Sequence, residues 1–277
     1  MKIKIKIAII AVLLASLVLI SACNRGASSG SNARTSASYT IEIGGSTSVS
    51  PLMEMFAENY QHTKTNVKIN INGTGSGDGI NNAGVLYQIG MSSRELTPAE
   101  QGRGLRETII AIDGIAVIVN KNNSVSNLSV DQIRDIYTGA ITDWSQVGGA
   151  AGKIAVISRE EGSGTRGAFE EIVRFQGKLL AGANESTSTG AIKAGVTQNP
   201  NAIGYISLGS VDDTINAISV DGAAPETSNV TSGAYKIARP FIVLTGNNIH
   251  AESAAFIEWM LSGEGQAIVS KSWIRVN

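Results

Sequence analysis

Three times in this chain a short β-prone run passes into a loop of glycine, serine and threonine and then into an amphipathic helix, and this repetition restricts the fold more than any other feature. In the first copy, residues 40–43 read as a strand, 44–48 as the loop and 51–57 as the opening of a helix with Pro51 at its start. In the second, residues 67–71 alternate as a strand, the glycine-rich run 73–79 follows, and a helix begins at Ile80. In the third, residues 154–157 lead through Ser158 into Arg159-Glu160-Glu161-Gly162-Ser163-Gly164-Thr165-Arg166, with a helix over 168–175. Strands that alternate with helices pack as α/β layers around mostly parallel sheets, and loops at the carboxyl ends of such strands gather ligands.

The apolar segments 109–119 and 241–245 are read as strands that cross between two lobes. That division makes residues 39–117 with 238–277 one lobe and 118–237 the other, within the one or two domains expected of 277 residues with 43% hydrophobic content. Further helices are predicted over 129–137, with Ser129 as N-cap before Val130, Ile133 and Ile136, and over 251–261, ending at Ser262-Gly263.

Residues 1–22 read as an address rather than as fold. Lys2, Lys4 and Lys6 precede an apolar stretch at 7–20, shorter than the roughly 20 residues of a spanning helix, and small residues stand directly before Cys23. This is a secretory signal peptide whose end resembles the lipobox of bacterial lipoproteins, in which the cysteine becomes the lipidated first residue; the alternative is a cysteine within an ordinary cleaved signal. Cys23 is the only cysteine in the chain, which excludes disulfides and Cys-ligated metal clusters from the fold. From Cys23 to position 38 the chain is small, polar and aperiodic, as in a flexible tether. Of 22 lysines and arginines, setting aside the three lysines of the signal leaves 19 against 23 acids, with no basic stripe, so nucleic acid is not an expected partner.

The three loops are a physical recipe for anion capture. Glycine lets successive backbone N–H groups turn toward one point, hydroxyls add rotatable donors, and a helix N-terminus adds its positive end. Arg159 contributes a guanidinium fork that suits two oxygens of a tetrahedral oxyanion. Charge-assisted hydrogen bonds contribute about 1.5–3 kcal/mol each, and micromolar affinity needs about 8 kcal/mol net. A few good contacts therefore suffice without metal or cofactor. Taken singly, each loop is also ordinary helix capping, and Arg159 alone could be a surface ion pair. The two histidines, His62 and His250, have no metal-ligand spacing and read as helix-end or loop residues. Residues 73–79 match neither a P-loop nor a dinucleotide fingerprint, and Trp144, Trp259 and Trp273 read as packing residues.

At these loops the chain resembles the periplasmic phosphate-binding proteins of high-affinity phosphate ABC transporters. The resemblance runs from about Tyr39 to the C-terminus and is carried by residues 45–52, 73–77, 89–94, 111–120 and 159–165. It implies a two-lobed α/β clamshell of the type II periplasmic-binding class, each lobe a mixed, mostly parallel sheet flanked by helices, hinged by two crossing strands. It also implies a non-enzymatic receptor, monomeric and extracytoplasmic, that closes over one phosphate and delivers it to permease subunits of an ABC transporter, held to the membrane by its lipid. By this resemblance Ser46, Thr47 and Ser48 occupy phosphate-binding positions of the first loop, Ser76 of the second, and Arg159, Ser163, Gly164 and Thr165 of the third, with Glu161 where an acid orients the arginine.

One departure concerns selectivity. Ser93 stands where the best-known members place an aspartate that accepts the proton of hydrogen phosphate, an acceptor that would repel proton-free sulfate. Asp113, in an apolar strand, either supplies that missing carboxylate, caps a turn, or pairs with Arg94. Receptors for sulfate or molybdate, and a phosphate-sensing surface lipoprotein, stay as alternatives. A secreted serine hydrolase is disfavoured, because the chain has just two histidines to serve as a base beside a nucleophile.

Overall fold

The computed structural model describes residues 38–277, so the signal segment, Cys23 and all but the last residue of the tether lie outside the described residues. In chain order the strands are β1 Tyr39–Gly45, β2 Val67–Gly73, β3 Ile89–Ser92, β4 Arg106–Asn120, β5 Asn127–Leu128, β6 Ala155–Arg159, β7 Asn184–Ser186, β8 Ala202–Ser207, β9 Ile215–Ala217, β10 Ser219–Val220 and β11 Ala238–Thr245. One sheet has the order β2-β1-β3-β11-β4-β8-β6-β7 with β9 also on β4, while β10 pairs with β5 apart from it. The flanks are parallel, β1 with β2 and β3 on one side and β6 with β7 and β8 on the other. The middle is antiparallel: β11 runs opposite to its neighbours β3 and β4, and β4 runs opposite to β8.

β4 is the seam of this two-lobed fold. Up to Gly114 it pairs with β11, and from Ile115 to Val119 it pairs with β8. Apolar side chains gather in separate cores on either side of that change. One is built from Ile41, Ile43, Leu52, Phe56, Tyr60, Phe241 and Phe256. The other is built from Ile133, Ile136, Trp144, Phe169, Phe175 and Tyr205. In the second core, Tyr137 meets the rings of Phe169 and Phe175 at centroid distances of 5.1 and 5.5 Å. Phe169, midway along the helix Gly164–Val173, stacks on Tyr205 of β8 at 4.1 Å and holds that helix against the strand.

Local signals acted as expected at several ends. Ser129 accepts a hydrogen bond from the Gln132 amide in a capping box before the helix Val130–Thr138, and Gly139 ends it at φ 83°. The helix Ala251–Leu261 stands where periodicity put it. Two helices begin earlier than the apolar spacing indicates. Ser76–Asn82 starts inside the glycine run rather than at Ile80, and Gly164–Val173 starts four residues before Ala168. Glycine lowers helix propensity but does not forbid the first turn, where no intrahelical N–H bond is yet required, and the Ser163 hydroxyl caps the second helix by accepting from the Arg166 amide. The helix ends therefore sit within the loops themselves. Among the described residues no helix is long and apolar enough to cross a membrane.

Candidate functional site

The first loop leaves β1 through Gly45, whose φ is 135°. A Cβ there would lie 2.2 Å from the Met91 carbonyl oxygen, so only glycine lets the loop turn so tightly over β3. The Gly45 carbonyl then accepts from the amides of both Thr74 and Gly75, at 2.8 Å each, and the Ser46 amide donates to the Met91 carbonyl at 3.0 Å. Three chain segments distant in sequence are thus knitted by backbone alone. The fourth, the loop after β6, closes on them: the Gly77 amide donates to the Gly162 carbonyl at 3.0 Å. A Cβ on Gly164 would lie 2.3 Å from Ser76 Oγ and 2.8 Å from Ser93 Oγ.

Where these loops meet, hydroxyls crowd together. Ser46 Oγ donates to Ser93 Oγ at 2.9 Å, and Ser76 Oγ accepts from the Ser93 amide at 3.2 Å. Ser48 Oγ lies 2.8 Å from Thr165 Oγ1 across the gap between the lobes. Ser46, Ser48, Ser76, Ser93, Ser163, Thr165 and Arg159 are all buried. Burial of so many protons in one place with little hydrocarbon between them suits a small acceptor of high charge, since isolated buried hydroxyls are costly.

Arg159 ends β6 at 2% exposure. Glu160 holds its guanidinium with two parallel bonds, Nε to Oε2 at 2.9 Å and Nη2 to Oε1 at 2.8 Å, and the Ser186 carbonyl takes Nε at 3.2 Å. The fork engages Nε and Nη2, and among the described residues Nη1 has no hydrogen-bond partner. Glu161, expected as the orienting acid, is exposed. The chain turns there, the Ser163 amide donating to the Glu160 carbonyl at 3.0 Å, which carries Glu161 outward and leaves Glu160 beside the guanidinium. Arg166 braces the same strand end, with Nη1 donating to the Arg159 carbonyl and Nε to Glu170.

Asp113 does not lie in this cluster. It is fully buried at the seam, where Oδ2 accepts from Arg239 Nε and Nη2 at 3.2 and 3.1 Å and Oδ1 accepts from Ser207 Oγ at 2.8 Å. Burial raises its carboxyl to about 6, against the pull of Arg239 and of hydrogen bonds from Ser207 and the Gly209 amide. Its oxygens are therefore committed, and it is not the acceptor that Ser93 fails to provide. Pairing with Arg94 does not occur either. Arg94 forks Glu100 at 2.7 and 2.9 Å and holds that carboxyl down to about 2. Ser93 Oγ bonds the hydroxyls of Ser46 and Ser76, and among the described residues none of its hydrogen bonds goes to a carboxylate.

Three residues of the cluster and its support escaped the sequence reading. Glu160 differs from Glu161 only by one position, and nothing local separates them. Thr189 bonds Ser48 Oγ at 2.9 Å from the far lobe, and its signal was legible: Ser188-Thr189-Gly190 repeats the hydroxyl and glycine recipe ahead of a helix. Arg239 was visible as a lone cation in the apolar run 238–245. His250 stacks on Tyr39 at 3.9 Å and caps a helix by accepting from the Glu252 amide. Among the described residues no group of acids and histidines could hold a metal ion.

A family model described as a PBP superfamily domain matches residues 30–264. The phosphate-binding protein PstS of Borreliella burgdorferi is 31% identical over 246 residues, covering 83% of this chain and 88% of that protein. The PstS protein of Bacillus subtilis strain 168 is 31% identical over 244 residues, covering 84% and 81%. Among solved structures, a protein from Clostridium perfringens described as a phosphate ABC transporter substrate-binding protein, with bound phosphate, superposes with a TM-score of 0.85 at 47% identity, covering 86% of this chain and all of that one. An ABC-type phosphate transport receptor from Vibrio cholerae gives a TM-score of 0.71 at 35% identity over 85% and 99% of the two chains.

Proposed function

Because this chain belongs to the PBP superfamily, whose model spans most of it, we propose that it is the extracytoplasmic phosphate receptor of an ABC transporter, with the loop cluster as its binding site. It binds phosphate and passes it to the transporter without chemical change. The relatives named for phosphate and the similar fold solved with phosphate support this reading. The observation that carries the site assignment is the convergence of Ser46, Ser48, Ser76, Ser93 and Thr165, linked by hydrogen bonds, on one buried place.

The physical division of labour follows from the donors. Each hydroxyl can give one proton to an anion, and Gly164 and its neighbours offer amides at the start of the helix Gly164–Val173. Arg159 supplies the charge, and Glu160 keeps its planar guanidinium aimed, so that little rotamer freedom is lost when the anion arrives. The hydroxyls are buried, where a hydrogen bond to a phosphate dianion is stronger than it would be in water. Closure of the lobe that carries Ser48 and Gly77 against the lobe that carries Thr165 and Gly162 completes the ring of donors.

Calorimetry with phosphate, sulfate, molybdate and tungstate tests the assignment. Phosphate binds most tightly, and Arg159→Ala loses that binding; preference for another oxyanion, or near-wild-type affinity in Arg159→Ala, rejects it. Cys23 is the lipidated first residue of the mature chain, which is tethered by residues 23–38 and acts as a monomer. Growth with labelled palmitate checks this: label is incorporated by the full chain and lost in Cys23→Ala, and an unlabelled wild-type chain argues against it.

A further inference from the structure

The helix Thr189–Gln198 belongs to the lobe that carries Arg159, and its first residue reaches across to the other lobe. Thr189 Oγ1 lies 2.9 Å from Ser48 Oγ, and the Thr189 amide donates to Thr47 Oγ1 at 3.3 Å. These bonds join positions about 140 apart in the chain, and Thr189 is 6% exposed. Its placement is rigid. Ser188 caps the helix by accepting from the Ala191 amide, and Ile192 and Val196 anchor the helix in a buried cluster with Ile118 and Ile206.

Counting protons shows what this residue can do. A hydroxyl has one proton to give and two lone pairs to fill. Ser48 Oγ and Thr165 Oγ1 lie 2.8 Å apart, so one can donate to the other. Once both spend their protons on one phosphate, neither can donate to the other. Ser48 Oγ can then accept from elsewhere, and among the described residues the other hydroxyl within hydrogen-bond reach of it is that of Thr189.

We propose that Thr189 is a positioning residue for phosphate capture: its hydroxyl donates to Ser48 Oγ and its amide to Thr47 Oγ1 across the cleft, so that both loop hydroxyls turn their protons to the anion. A donated bond also polarises the Ser48 O–H and strengthens it as a donor. Because donor and acceptor sit on opposite lobes, the bond exists only when the cleft is shut, and its loss speeds release of phosphate more than it slows capture. The proposal rests on the reading of Thr47, Ser48 and Thr165 as phosphate ligands.

Thr189→Val keeps the shape and the amide and removes only the hydroxyl. With inorganic phosphate and the full chain, calorimetry and stopped-flow release should show it binding roughly 5- to 30-fold more weakly, mostly through faster release. Thr189→Ser, which restores the hydroxyl, stays within about twofold of wild type by the same scale. In the double variant with Ser48→Ala, the Thr189→Val effect largely disappears, an outcome that a general loss of stability would not produce. Wild-type affinity in Thr189→Val, or full additivity with Ser48→Ala, overturns the proposal. Should Ser48→Ala itself bind phosphate normally, the site reading falls and takes this inference with it; weak binding in Ser48→Ala beside normal binding in Thr189→Val removes this inference alone.

Discussion

Arg239 donates from Nη1 to the carbonyl oxygen of Ser93 at 3.2 Å while Nε and Nη2 hold Asp113. One buried guanidinium thus connects the seam strand β4, the return strand β11 and the loop that carries Ser93. The pair is shut away from water on both sides, and burial shifts both groups toward their neutral forms, the Asp113 carboxyl upward and the Arg239 guanidinium downward. Such a pair holds its neighbours in place without adding much net stability, because attraction only offsets desolvation.

Arg239→Met tests that arrangement by leaving the Asp113 carboxylate buried alone. Denaturant unfolding should show a loss of about 3–5 kcal/mol, and much of it should return when Asp113→Leu is added, since the charged partner is then gone too. Equal losses in the single and double variants would contradict the pairing.

Asp113 also predicts a pH dependence. Its folded carboxyl sits at about 6, above the roughly 3.9 of an unfolded aspartate, so the native chain holds this proton more tightly. The contribution is fully present below about pH 4 and is lost as the pH rises through about 6. In Asp113→Asn, unfolding free energy should decline less over that window than in the wild-type chain. Superimposable pH profiles would show that the group does not titrate there.

The same variant bears on selectivity. Because the Asp113 oxygens are taken by Arg239 and Ser207, its preference for phosphate over sulfate in paired titrations should match that of the wild-type chain. Collapse of the preference would mean that Asp113 reaches the anion after all.

Glu160 and Glu161 are separable by substitution. Glu160→Gln weakens the fork that aims Arg159, and phosphate affinity should fall roughly tenfold or more, while Glu161→Gln on the exposed side leaves it within about twofold. The reverse order would restore Glu161 to the orienting role.

Gly164→Ala places a methyl group within 2.3 Å of Ser76 Oγ, so the cleft cannot shut as described. Overpacking of this kind costs about 1–3 kcal/mol, which is roughly 5- to 150-fold in phosphate affinity. The melting temperature without phosphate should change little, because the clash arises between lobes. Unimpaired phosphate binding in Gly164→Ala would show that the approach of Gly164 to Ser76 is not needed.

How much of this was legible beforehand differs from element to element. The strand, loop and helix repeats, the Ser129 cap and the helix Ala251–Leu261 could be read because each is decided by residues within a turn or two of one another. The helix starts at Ser76 and Gly164 precede those the apolar spacing indicates, because periodicity is silent in a first turn rich in glycine. The loops with their hydroxyls, glycines and Arg159 stood out for the same local reason: a turn that exposes its amides needs particular residues at particular places.

The sequence alone determined that this chain would form α/β layers with donor-rich loops at strand ends, for composition and periodicity act over short range. Only the tertiary structure decided which carboxylate serves which arginine. Glu160 takes Arg159, Asp113 takes Arg239 rather than Arg94, and Thr189 reaches Ser48 from the other lobe. Those choices are made between groups of the same chemistry. What separates them is the path of the chain through space, set by two cores and a shared seam, and no spacing along the sequence encodes it.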